Sequence, residues 1–299
     1  MSEGARRWAL FAAMCVIWGV PYLLIRVAVR DLDPSVLVFA RTAVGALLLV
    51  PLAAARGELR PVLARWRPLL VFAAIEIAIP WLLLSSAERR LSSSFSGLMI
   101  AAVPLVGAAI TRERLGSWSV GGLVLGLGGV VALLGLDAHG TSAVGVVEIA
   151  GVVLGYAVGP IVLSRHLRGL PALGVIAASL ALTAVVYAPV AAVTLPAEFP
   201  PAKVVGSVLT LAVVCTALAF VLFFALIAEV GPVRATVITY VNPAVAAALG
   251  VSVLGERFTT GMGVGFVLIL IGSVLAARPR VATTRQRSAS TSAALGNEG

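Results

Sequence analysis

Charge is scarce in this 299-residue chain, where Asp, Glu, Lys and Arg make up 12% of residues. That is about half the share carried by soluble domains. Hydrophobic residues reach 60% and mean hydropathy is +1.08, so water cannot be the main solvent of the fold. Cysteine is nearly absent. Cys15 and Cys215 lie in apolar runs with no second thiol or histidine at ligand spacing, which excludes a disulfide framework and a zinc site and leaves two small buried hydrophobes. The two histidines, His139 and His166, fall in connections on opposite sides of the apolar spans and form no pair. There is no glycine loop followed by lysine, no H-E-x-x-H and no nucleophile elbow, so an enzyme would have little to work with. A membrane-embedded lipid-modifying enzyme is the weakest of the readings kept. The sequence calls for no cofactor and no metal.

What is present is apolar length. About 20 apolar residues cross a bilayer, and ten runs qualify, near 8–28, 34–54, 68–86, 91–110, 119–136, 146–163, 171–193, 204–226, 232–250 and 261–277. The expected fold is an all-α integral membrane protein of ten transmembrane helices.

The runs form two copies of one unit. At a constant offset of 139, Pro21 falls on Pro160, Arg26 on Arg165, Pro61 on Pro200 and Pro104 on Pro243. After Pro104 the first copy loses four residues, and at an offset of 143 Glu113 falls on Glu256, Gly122 on Gly265 and Gly129 on Gly272. Each copy, 8–136 and 146–277, holds five spans. An odd number sends the second copy into the membrane from the opposite face, so the repeats are inverted.

Orientation follows from basic residues. With the N-terminus in the cytoplasm, 15 arginines lie in inner segments and six Lys or Arg in outer ones, with Arg41 inside a span. Both termini are therefore expected in the cytoplasm. The net charge of +9 reflects this topology rather than nucleic-acid binding. Trp8, Trp66 and Trp118 stand at inner span ends and read as interfacial anchors. Arg6 and Arg7 before an apolar run resemble a signal peptide, but the run is long enough to span and no small-residue cleavage site follows. It reads as a retained first helix. Residues 278–299, rich in Ser, Thr, Ala and Arg, read as a disordered cytoplasmic tail.

Ionisable residues at membrane depth are functional candidates because they are costly there. Arg41 in span 2 and Glu76 in span 3 lie at similar depth from the same face, so a salt bridge between them is open. One reading makes Glu76 a proton-coupling site and Arg41 an anchor for a substrate carboxylate. The other makes the pair a lock between two helices. Trp18, Trp81, Tyr156, Tyr240 and Asn242 form a second tier of substrate-binding candidates, as polar or aromatic groups at depth. Asn242 precedes Pro243, which frees a backbone carbonyl one turn back. The glycines around Gly122 and Gly265 suit close helix approach, and Glu113 and Glu256 are placed to cap the helices that follow them.

Two inverted five-helix copies, Trp18-Gly19 in the first helix, Pro104 and Pro243 in the fourth and ninth, and Glu113-Arg114 matched by Gly255-Glu256-Arg257 resemble the EamA-type transporters of the drug/metabolite transporter superfamily. The resemblance implies a secondary carrier in the cytoplasmic membrane that exports amino acids or related small metabolites through a cavity between the repeats. Its partners would be a small-molecule substrate, the lipid bilayer and a proton as candidate coupling ion, with no nucleic acid. A proton-coupled efflux carrier for drugs or amphiphiles is the alternative. The departure from the pattern is the four-residue deletion between Pro104 and Glu113, about one helical turn.

Overall fold

A computed structural model describes residues 3–111, 117–135, 142–231, 235 and 237–276. Glu113, His139 and residues 278–299 lie outside them. Among the described residues there is no β-strand. Seven helices are long and apolar enough to cross a membrane: α1 (Gly4–Ala28), α2 (Pro34–Ala55), α3 (Trp66–Ala87), α4 (Ser93–Thr111), α6 (Ala143–His166), α7 (Ala172–Val193) and α8 (Ala202–Val230). Three further apolar helices are α5 (Ser117–Gly135), α9 (Ile238–Leu254) and α10 (Thr260–Ala276). The ninth differs most from its expected bounds, running on to Leu254 before Gly255, at φ 67°, ends it. Glycine is suited to that left-handed position.

Each helix packs against a member of the other copy, and the contacts run in opposite directions along the two partners. In α5 and α10, Gly126 lies against Gly272 while Leu133 lies against Gly265. In α4 and α9, Ser94 meets Gly250 and Gly97 meets Ala246. Ser35 and Thr194 join the start of α2 to the end of α7, and Glu58 Oε2 accepts from Gly174 N beyond the other end. The remaining pairs are α3 with α6, where Leu91 meets Gly145 and Glu76 meets Gly159, and α1 with α8, where Arg7 meets Glu229 and Trp18 meets Phe223. Antiparallel pairing across the copies is what inversion of the repeated unit produces.

Two helices of the first copy are interrupted. The chain turns at Trp18–Val20 in α1, just before Pro21, and at Ala101–Ala102 in α4, two residues before Pro104. Proline removes a helical donor and disfavours helical geometry in the residue before it. Two other helices carry a wider π-helical turn, Ala73–Ala78 in α3 and Val213–Leu218 in α8. These turns fall at nearly equivalent positions of the two copies. Outward-facing Leu47, Val124, Val147 and Val185 are exposed, a surface suited to lipid.

Candidate functional site

The π turn in α8 prepares a seat for Arg41. Its wider winding lets the Thr216 hydroxyl donate to the Leu211 carbonyl five residues back, at 2.8 Å. The hydroxyl oxygen is then free to accept from Arg41 Nε, also at 2.8 Å. Arg41 is buried, and its guanidinium carbon lies 3.6 Å from the Trp81 ring centroid. A desolvated contact of this kind contributes about 2 kcal/mol. One arginine of the first copy is thus held by a π turn of the second and an indole of the first.

Glu76 occupies the π turn of α3. Its Oε2 is buried and makes no hydrogen bond among the described residues. It rests on Gly159 of α6, where any Cβ would overlap that oxygen. One turn earlier Gly155 lies against the Ile75 carbonyl and Pro80, and one turn earlier again Gly151 lies against Leu83. Glycines at intervals of four therefore clear a path for α3 along α6. The sequence reading did not single out this stripe, although its spacing is visible in the chain. The salt bridge left open between Arg41 and Glu76 is not formed in this conformation, because the guanidinium is committed to Thr216 and Trp81. Tyr156 of α6 packs against the cluster that holds Ile77 and Trp81, so Arg41, Glu76, Trp81 and Tyr156 share one region.

The other candidates lie apart from this group. Trp18 sits on the seam of α1 and α8, with ring centroids 4.7 Å from Phe223 and 5.9 Å from Phe220. Asn242 is buried where α9 meets α1, and with its amide turned to suit its surroundings the nitrogen donates to the Cys15 carbonyl at 3.0 Å and the Ile238 carbonyl at 2.9 Å. The first of these has a purpose. The turn at Trp18–Val20 directs Gly19 N to the Val16 carbonyl instead of to Cys15, and a carbonyl left bare in a membrane is costly. Tyr240 is partly buried on the same helix.

Glu256 does not cap the helix that follows it. After Gly255 turns the chain, its carboxylate reaches α4, where Ser93 N donates to Oε1 at 2.7 Å and Ser94 N to Oε2 at 2.9 Å. Ser93 Oγ and Ser94 Oγ add two more hydrogen bonds. Burial raises this carboxyl, but the hydrogen bonds outweigh it and hold it below the usual range. The carboxylate belongs to one copy and the helix terminus it caps belongs to the other. Gly265 has a contact of another kind: a Cβ there would lie 2.8 Å from the Gly129 carbonyl, and one on Gly272 would lie 2.6 Å from that of Gly122. Backbone meets backbone, with no flexible atom to yield.

Two copies whose apolar helices pair antiparallel across the copies, with a buried arginine between them, define a multi-pass membrane protein. Residues 7–135 and 143–278 each match the EamA-like transporter family, and the chain belongs to that family, within the drug/metabolite transporter superfamily. A solved protein titled only "Crystal structure of protein" has the same fold, with a TM-score of 0.64 and 22% identity over 92% of this chain and 97% of its own. No curated protein matches the sequence.

Proposed function

We propose that this protein is a secondary transporter that exports a small organic metabolite, an amino acid or related compound, across the cytoplasmic membrane. Its moving parts are the repeats 8–136 and 146–277, alternating access to a site between them, and both termini lie in the cytoplasm. The observation that carries the proposal is the Glu76 carboxyl, whose Oε2 is buried without a hydrogen-bond partner among the described residues, in the same region as the Arg41 guanidinium.

Arg41 bonds Thr216 through Nε alone among the described residues, and a substrate carboxylate would engage the remainder of the guanidinium fork. Glu76 is ill-suited to carry charge without a partner in a low-dielectric setting. Once protonated it becomes a donor, and Pro160 leaves the Tyr156 carbonyl without its helical amide one turn before the end of the glycine stripe. Proton and substrate then bias the same two-state element. The π turns beside both charged contacts are suited to rearrangement, since they hold one residue more than an α-helical turn.

Reconstitution in vesicles with an imposed pH gradient tests this reading. Glu76→Gln is expected to abolish gradient dependence while leaving substrate exchange partly intact, and Arg41→Ala to lose substrate affinity first. Unchanged gradient-driven uptake in Glu76→Gln would return that residue to a structural role. The aromatic seam of Trp18, Phe220, Phe223 and Phe224 favours a second reading, efflux of a lipophilic amphiphile. Comparative metabolite profiles of cells overproducing or lacking the protein separate the two. Topology is checked by a reporter active only outside the cytoplasm, which should respond after Asp137 and stay silent at Gly299.

A further inference from the structure

Glu88 is a buried carboxylate that the transport site does not use. It follows the last residue of α3, is 0% exposed, and neither oxygen has a hydrogen-bond partner among the described residues. Its two neighbours in sequence are engaged elsewhere. Arg89 donates to the Leu32 carbonyl and lies 3.6 Å from Asp33, and Arg90 pairs with Glu148 of α6 at 3.1 Å. Arg26 of α1 also reaches Glu88, but its guanidinium donates to the backbone carbonyl of that residue. The other titratable groups whose charge reaches Glu88 are Tyr22 of α1, which lies against Gly97 of α4, and the Glu256 carboxylate that crosses from the second copy to cap α4.

Two carboxylates therefore sit at one closed seam with unequal support. Glu256 receives four hydrogen bonds from Ser93 and Ser94 and is at home as an anion. Neither Glu88 oxygen has a hydrogen-bond partner by distance and angle among the described residues. Burial pushes its carboxyl well above the usual range, Arg26 pulls against that, and Glu256 adds to the rise. The seam is also tight: a Cβ on Gly97 would lie 2.6 Å from Ala246, and the Ser94 hydroxyl reaches the Ala247 carbonyl at 3.4 Å.

We propose that Glu88 is a second proton-binding site, on the membrane face opposite the N-terminus, and that its proton keeps the seam between α4 and α9 closed. Opening the seam would hydrate Glu88 and return it to an ordinary acid, so opening is linked to proton release. The sign follows directly. A group whose closed-state pKa is raised favours closure fully below its open-state pKa and loses that effect as pH rises through the closed-state value. An ionised Glu88 also repels Glu256, which loosens the crossing contact. The inference goes beyond coupling at Glu76 and needs no substrate to be tested.

The test uses the full chain in detergent micelles, where both faces meet solvent. Ala247→Cys places a thiol in the closed seam, and Val253→Cys places one at an exposed position of the same helix. Native Cys15 and Cys215 are buried. The ratio of maleimide modification rates at the two introduced thiols, which cancels the pH dependence of thiol chemistry, is measured from pH 5 to pH 9. The ratio is expected to rise roughly tenfold with pH, one decade for one titrating proton, and to stay low and flat when Glu88→Gln is added. Arg26→Gln should move the midpoint to higher pH, by removing the cation that favours the anion. It also serves if Glu88→Gln fails to fold. A parent ratio that does not change with pH, a rise unaltered by Glu88→Gln, or a midpoint unmoved by Arg26→Gln would overturn the proposal. So would opening on acidification, which would assign the switch to loss of the Glu256 cap.

Discussion

Pro21 and Pro160 are counterparts in the two copies, as are Pro104 and Pro243. Yet α1 and α4 turn just ahead of their prolines, while α6 and α9 run unbroken through theirs. The difference lies in who can supply donors. A broken helix bares extra carbonyls, and in lipid these need partners. Asn242 bonds the Cys15 carbonyl beside the first break, and Ser273 Oγ donates to the Ala101 carbonyl at the second, at 3.2 Å. Both donors come from the second copy. Their counterparts in the first copy are Val103 and Val130, which have nothing to give. Proline makes a break available; a polar side chain on the opposite copy makes it tolerable.

The charged groups divide the same way. Arg41 and Glu76 of the first copy stand where the second has Leu180 and Cys215. At the helix ends the symmetry is kept with its sign reversed. Arg90 pairs with Glu148 between α3 and α6, and its counterpart Glu229 pairs with Arg6 and Arg7 between α8 and α1. The framework is duplicated, whereas Arg41 and Glu76 occur in one copy only.

The largest effect expected from erasing this difference is at Gly159, whose counterpart is Val20. Gly159→Val forces side-chain atoms onto Glu76 Oε2 and should abolish transport and reduce the folded yield. Adding Glu76→Cys, which copies the second repeat, should restore yield in size-exclusion chromatography without restoring dependence on the proton gradient. If Gly159→Val is tolerated alone, the stripe is not holding α3 in place. Next in size is Asn242→Val, which leaves the Cys15 carbonyl without its donor. A loss of about 1–3 kcal/mol is expected, read as lowered thermal stability in detergent, and Ser273→Val should cost somewhat less because a hydroxyl is replaced at a longer contact. Equal stability in Asn242→Val would sever the link between donors and breaks. The smallest effect belongs to the ion pairs. Arg90→Glu should cost about 0.2–1 kcal/mol, typical of a partly exposed pair, and adding Glu148→Arg should recover most of it. A double variant no better than the single one would show that the sign at this end is free to vary.

Seven of the spans and the two-copy architecture could be read from apolar run lengths and the constant offset, because lipid leaves a chain few alternatives. The breaks could not, since identical prolines behave differently in the two copies. What decides them is Asn242 and Ser273, distant in sequence and donors only once the helices pack. Arg41, Glu76, Trp81 and Tyr156 stood out as polar or aromatic groups at depth. Thr216 did not, because its part depends on a π turn with no clear local signature. Glu88, followed by two arginines, reads as one more solvated charge at a helix end, and only the packing of the folded helices hides it from water. Glu256 was expected to serve the next helix. Gly255 turns it instead toward a helix terminus that lies beyond any local reading.

The π turns also have a history. Each inserts one residue into a helix, which rotates everything beyond it by about 100° relative to an uninterrupted α-helix. A helical wheel drawn straight through α3 would therefore assign the wrong face to Ile79–Ala87. Because the offset of 139 passes through both turns without a gap, the insertion is common to the two copies, and the unit that was duplicated already had this phase shift. The carboxylate in one turn and the threonine that holds arginine in the other are differences written on a shared dislocation.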